Sequence, residues 1–123
     1  MARILVIDDE PVVRGLFRTV LELDGHAVEE AADSPTGLAA YEREPADLVI
    51  VDLVMPHESG VITIRKLRAQ HPEVRILPMT GLLTQLWSSD QLSKLLDAER
   101  TLAKPVTPDQ IVDAVRHALE VKV

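Results

Sequence analysis

Four short apolar runs in this chain each stop at a polar residue placed in the same way. Ile4–Ile7 runs into Asp8 and Asp9, Leu48–Val51 into Asp52, Ile76–Met79 into Thr80, and Thr101–Ala103 into Lys104. Helix-patterned stretches separate them. If the runs are neighbouring parallel strands, all five polar residues emerge at the carboxyl edge of one sheet, where open α/β folds bind their ligands. Three carboxylates, a hydroxyl and an ammonium would then converge on one small space. Three acids do not crowd together without a cation, so the pattern implies a metal. A lone acid at a strand end is ordinarily a solvated turn residue or a helix cap. The repetition of the placement, strand after strand, is what sets this pattern apart.

The remaining stretches fit the same architecture. The first strand is Arg3–Ile7, and a helix follows from about Glu10 to Asp24, with Val13, Leu16, Phe17, Val20 and Leu21 at helical spacing and Gly25 at its end. His26–Ala31 reads as a strand near the sheet edge. Ser34-Pro35 reads as a cap and a first-turn proline, opening a helix that stops before Pro45. Leu48–Val51 is wholly apolar, as expected of a central parallel strand covered on both faces. A loop holding Pro56 and Gly60 leads to a helix ending near His71-Pro72, and a fourth helix is expected from about Ser88 to Leu96. Thr107-Pro108-Asp109-Gln110 is a capping box that opens the last helix. Five βα units of this kind predict an α/β, doubly wound parallel sheet.

Composition narrows the function classes. The 123 residues amount to one domain able to bury a single core. A net charge of −7 argues against direct nucleic-acid binding, which calls for clustered Lys and Arg. Without cysteine there are no disulfides, thiol catalysis or thiolate metal sites. No run approaches the roughly 18 apolar residues of a membrane span, so a cytoplasmic protein with no membrane association is expected.

The chemistry follows from the edge residues. Asp8, Asp9 and Asp52 are hard oxygen ligands of the sort that suit magnesium. With Lys104 the formal charge is −2, which a divalent ion neutralises. Two unit charges 4 Å apart repel by about 4 kcal/mol at an effective dielectric near 20, so the metal-free site is strained. Asp52, the one acid on a central strand, is the expected nucleophile. Flanked by a metal, a lysine and a hydroxyl, such a carboxylate can accept a phosphoryl group whose oxygens Lys104 and Thr80 would hold.

Asp8-Asp9 after the first strand, Asp52-Leu53-Val54-Met55-Pro56 with Gly60 after the third, Thr80-Gly81 after the fourth and Lys104-Pro105 after the fifth together resemble the receiver domain of two-component response regulators. The resemblance covers essentially the whole chain. It implies a flavodoxin-like (βα)5 fold with strand order 2-1-3-4-5, and one receiver domain over residues 1–123, whether a whole protein or a part of a longer regulator. It implies Asp52 as phosphoacceptor, taking phosphate from a histidine of a sensor kinase or phosphotransfer protein, with a downstream effector or a homodimer as output. Magnesium would be held by Asp9, Asp52 and the backbone carbonyl of Val54, with Asp8 assisting through water. Thr80 would be the switch hydroxyl and Lys104 the phosphate partner, with Lys104-Pro105 a cis peptide. The chain would be a switch rather than a turnover enzyme, changing the surface around its fourth helix, fifth strand and fifth helix.

Some positions depart from the family pattern. Thr101 stands where such domains often carry a Tyr or Phe that swings inward on activation, and Leu96–Arg100 replaces a common Gly-Ala pair. Leu82, Leu83, Leu86 and Trp87 read as core edge and are also the candidates for a partner-binding patch. Val54 and Leu82, both apolar, occupy the places past which water reaches the acyl phosphate in receivers, so a long-lived phosphorylated state is expected. His26, His57, His71 and His117 lack metal-ligand spacing and read as surface residues, with His57 near the pocket mouth, and Glu29, Glu30 and Asp33 read as a solvated edge. An aspartate-nucleophile phosphatase would need a second acid two residues after Asp52, where Val54 stands. A flavin carrier would need a phosphate-cradling loop and aromatic stacking residues, and the chain has only Phe17, Tyr41 and Trp87. The remaining alternative is a receiver-like scaffold that works without phosphorylation.

Overall fold

The computed structural model describes residues 1–56, 58–81, 88–98 and 100–120. Five parallel strands form one sheet: β1 (Arg3–Ile7), β2 (Ala27–Ala31), β3 (Leu48–Asp52), β4 (Ile76–Thr80) and β5 (Leu102–Ala103). Their spatial order is 2-1-3-4-5, as expected. The helices are α1 (Pro11–Leu23), α2 (Ser34–Arg43), α3 (Gly60–Gln70), α4 (Ser89–Leu95) and α5 (Pro108–Glu120). A small antiparallel hairpin, Val54–Met55 against Glu58–Ser59, lies between β3 and α3, where the sequence reading placed only a loop.

Strand periodicity divides the core into two layers. Ile4, Val6, Leu48 and Ile50 face Phe17, Val20 and Leu21 of α1 and Ile111, Ala114 and Val115 of α5. Leu5, Ile7, Val49 and Val51 face Tyr41 of α2, Ile64 and Leu67 of α3, and Leu92 of α4. Every residue of β3 is buried, which is why that strand shows no alternation.

Local chemistry sets the element ends. Helix α1 closes with a Schellman turn, in which the Gly25 amide donates to the Glu22 carbonyl and the His26 amide to that of Leu21, with Gly25 at φ +91°. Helix α5 opens on the expected capping box of Thr107 and Gln110. Helix α4 has its own, built from Ser88 and Gln91. The start of α2 differs from expectation. Asp33, not Ser34, is the cap, its carboxylate accepting from the Thr36 amide at 2.9 Å. Ser34 lies inside the helix with its buried hydroxyl 2.8 Å from that of Thr63 on α3, so a tertiary partner takes it out of the capping role.

Glu29 and Glu30 are likewise not a merely solvated edge. Glu29 pairs with Arg3 and Arg43, and Glu30 with Arg14 and Arg18. His26 is largely buried rather than on the surface. Its Nδ1 accepts from the Ala2 amide at 3.1 Å, so it pins the amino terminus of β1. His71 stacks at a tilt on Tyr41, with ring centres 4.7 Å apart. The proposed patch of Leu82, Leu83, Leu86 and Trp87, and the position of His57, lie outside the described residues.

Candidate functional site

Register delivers the edge residues to one place. Ile7 pairs with both Ala31 and Val51, so Asp8 and Asp52 follow on adjacent strands, and Asp52 lies opposite Met79, one residue before Thr80. Thr80 lies opposite Ala103, and the Lys104 amide donates to the Thr80 carbonyl at 2.7 Å, extending the ladder by one bond to the lysine. Asp8, Asp52 and Thr80 are all buried.

Lys104 Nζ is the electrostatic centre. It lies 3.0 Å from Asp8 Oδ2, 3.1 Å from Glu10 Oε1 and 3.2 Å from Asp52 Oδ2. The peptide from Lys104 to Pro105 is cis, as the resemblance implied. Asp52 Oδ1 accepts from the Val54 amide at 3.1 Å, and Asp8 Oδ1 from the Glu10 amide at 2.9 Å, so both loops fold back onto the acids that start them. Gly60 closes the far side. Its amide donates to the Leu53 carbonyl at 3.0 Å, and a Cβ there would lie 2.0 Å from the Asp52 carbonyl oxygen.

One carboxylate oxygen from each of Asp8, Asp9, Glu10 and Asp52 falls within 4.8 Å of the others. The sequence reading named three of these acids and missed Glu10. The available signal is a third consecutive acid, Asp8-Asp9-Glu10, at a position that reads equally well as the start of the first helix. Two buried polar atoms find no hydrogen-bond partner among the described residues: Asp8 Oδ2 and Thr80 Oγ1. Asp8 Oδ2 does touch Lys104, but that 3.0 Å contact is an ion pair without the angle of a hydrogen bond. An oxygen-only donor set with a buried carboxylate oxygen left over fits a hard divalent cation.

The charge imbalance registers on Asp52. Burial pushes its carboxyl up to about 6 and the negative charge of Asp8 adds to this, while the Val54 amide and Lys104 work against it. Burial alone would lower Lys104, but its close contacts with the carboxylates of Asp8 and Glu10 and the charge of Asp52 raise it well above an ordinary lysine. One ammonium divided among three acids stays firmly charged yet leaves Asp52 undercompensated.

A doubly wound α/β domain with a four-acid, one-lysine pocket at its carboxyl edge is the class that fold and site define. The chain belongs to the response regulator receiver domain family, whose model matches residues 4–116. It is 31% identical over 122 residues to sporulation initiation phosphotransferase F of Bacillus subtilis, covering 98% of this chain and 95% of that protein. It is 35% identical to the probable transcriptional regulator ycf27 of Porphyridium aerugineum, covering 95% of this chain but only 48% of that protein. The chain thus spans about half the length of that relative. Among solved structures it is similar to the response regulator TrrA of Thermotoga maritima in complex with Mg2+ and BeF, at TM-score 0.81 and 29% identity, covering 96% of this chain and 99% of that one. Among the described residues no helix is long and apolar enough to cross a membrane.

Proposed function

We propose that the chain is a phosphorylation-dependent switch of a two-component system, in which Asp52 takes a phosphoryl group from a phosphohistidine on a sensor kinase or phosphotransfer protein. The observation that carries this reading is the pocket itself: a buried carboxylate 3.2 Å from Lys104, beside a buried hydroxyl, Thr80, that has no partner among the described residues. In the transfer an Asp52 oxygen forms the new P–O bond as the P–N bond to the donor ring breaks. The bonding electron pair stays on the ring nitrogen, and a ring protonated at its other nitrogen departs as neutral imidazole. Lys104 holds one phosphoryl oxygen and Thr80 donates to another, which gives the orphaned hydroxyl its partner. Asp9, Asp52 and the Val54 carbonyl, with Asp8 through water, would hold magnesium, which supplies charge neutralisation at the transferring oxygens.

On this reading residues 1–123 are one receiver domain, a cytoplasmic phosphoacceptor and not a turnover enzyme. Its output is a changed surface around α4, β5 and α5, offered to a downstream effector or a second copy. Thr101 supports a different transmission route from an aromatic swing, because its buried hydroxyl lies 2.8 Å from that of Ser93 and so ties the approach to β5 directly to α4.

The test is intact mass after incubation with a small phosphodonor. One added phosphoryl group is expected with magnesium, and none without it or in Asp52→Asn. An adduct that persists in Asp52→Asn overturns the assignment. A wild-type chain that never gains the group points to the scaffold reading instead.

A further inference from the structure

An ammonium group has three N–H donors. In this pocket Lys104 Nζ donates to Glu10 and Asp52 and is ion-paired with Asp8, each at 3.0–3.2 Å. If Lys104 is to hold a phosphoryl oxygen on Asp52, which is the reading this inference rests on, that oxygen competes with the acids already gathered on the ammonium. The three differ sharply in what leaving costs them. The Asp8 side chain is 0% exposed and that of Asp52 3%, so neither can exchange the ammonium for water. The Glu10 side chain is 58% exposed, and its carboxylate is rehydrated the moment it swings out. Its backbone need not move, because the Glu10 amide stays bonded to Asp8 Oδ1.

We propose that Glu10 is a displaceable tether on Lys104, a positioning residue that holds the ammonium over the pocket in the resting state and competes with the incoming phosphoryl oxygen for it. A carboxylate is a natural stand-in for that oxygen, since both are anionic acceptors of one charged hydrogen bond. The tether therefore sets how readily the pocket takes an anion, without touching the reacting atoms.

The experiment is a double-mutant cycle on binding of beryllofluoride, a non-transferable phosphoryl mimic, at saturating magnesium, read by calorimetry. An exposed charge pair is worth up to about 1 kcal/mol, so Glu10→Gln and Glu10→Ala should each bind the mimic about two- to five-fold more tightly than wild type. In a Lys104→Ala background Glu10→Gln should change nothing, an outcome that a general effect on folding or on local charge would not produce. A gain that persists without Lys104, or no gain with it, overturns the tether. An independent readout needs no phosphoryl mimic: the Lys104 ammonium protons, observed by 15N NMR of the free protein, should exchange with water faster in Glu10→Gln than in wild type. Unchanged exchange overturns the tether while leaving Asp52 as phosphoacceptor. Failure of beryllofluoride to bind wild type with normal NMR behaviour overturns the phosphoacceptor reading instead.

Discussion

The two glutamates of β2 and the acids at the carboxyl edge of β1 and β3 sit on neighbouring strands in opposite electrostatic situations. Glu29 meets Arg3 and Arg43, and Glu30 meets Arg18 at 2.6 Å and Arg14 at 3.2 Å. Each acid there has two cations. At the carboxyl edge Asp8, Glu10 and Asp52 share Lys104, with Asp9 beside them. The titration follows the ratio. The Arg18 hydrogen bond, with help from Arg14 and against partial burial, holds Glu30 below the ordinary carboxylate range, whereas Asp52 is pushed up to about 6. The first arrangement favours the folded chain by itself. The second is tolerated because the packed strands enforce it, which is the mark of a site shaped for a ligand rather than for stability.

Removing one cation from each region gives the largest contrast. Lys104→Ala leaves buried Asp8 and Asp52 facing each other and should cost about 3 kcal/mol in magnesium-free neutral buffer. Arg43→Ala, with Arg3 still on Glu29, should cost less than about 1 kcal/mol. Urea melts would measure both, and equal losses would break the comparison.

Replacing one carboxylate by its amide should give opposite signs. Well below the ordinary aspartate value of 3.8 Asp52 is protonated in both states and makes no difference. As pH rises towards and past 6, the unfolded chain ionises first and the folded state is disfavoured, by about 3 kcal/mol once ionisation is complete. Asp52→Asn should therefore stabilise the metal-free chain by up to about that amount at pH 8, with the gain falling away as pH drops and gone by about pH 3. Glu30, held low, contributes stability that is present above the ordinary glutamate value of 4.5 and lost as pH falls through its lowered value. Glu30→Gln should cost less than about 1 kcal/mol at pH 7. Thermal melts across pH that moved both variants in the same direction would defeat the argument.

The smallest contrast concerns hydroxyls. Thr63→Val strands the buried Ser34 hydroxyl and should cost about 1–2 kcal/mol. Thr80→Val removes a hydroxyl that has no partner among the described residues, and should be neutral or stabilising by about 1 kcal/mol. A loss at Thr80 equal to that at Thr63 would mean that the Thr80 hydroxyl is already satisfied in the resting chain.

The fold and most of the pocket were legible in the sequence because parallel strands make position along the strand equivalent to position in the sheet. Asp8, Asp52, Thr80 and Lys104 could be placed together from their strand ends alone. What failed was decided between elements. Ser34 lost the capping role to Asp33 because Thr63, on another helix, claims its hydroxyl. The bond between Ser93 and Thr101 joins α4 to the approach to β5, a contact between elements that no periodicity within either reveals. Glu10 was missed because its role depends on the reach of Lys104, 94 positions away.

Gly60 carries one more consequence, for heredity rather than chemistry. An added methyl would meet the Asp52 carbonyl oxygen at 2.0 Å and the Leu53 Cα at 2.7 Å, both main-chain atoms that no side-chain rotation can clear. In a library with every codon varied, position 60 should accept glycine alone and be depleted as severely as position 52. The two kinds of intolerance should separate on expression level: Asp52→Asn is expected to remain a folded, abundant protein that lacks only the proposed phosphoacceptor, while Gly60→Ala is expected to be cleared from the cell as a misfolded chain.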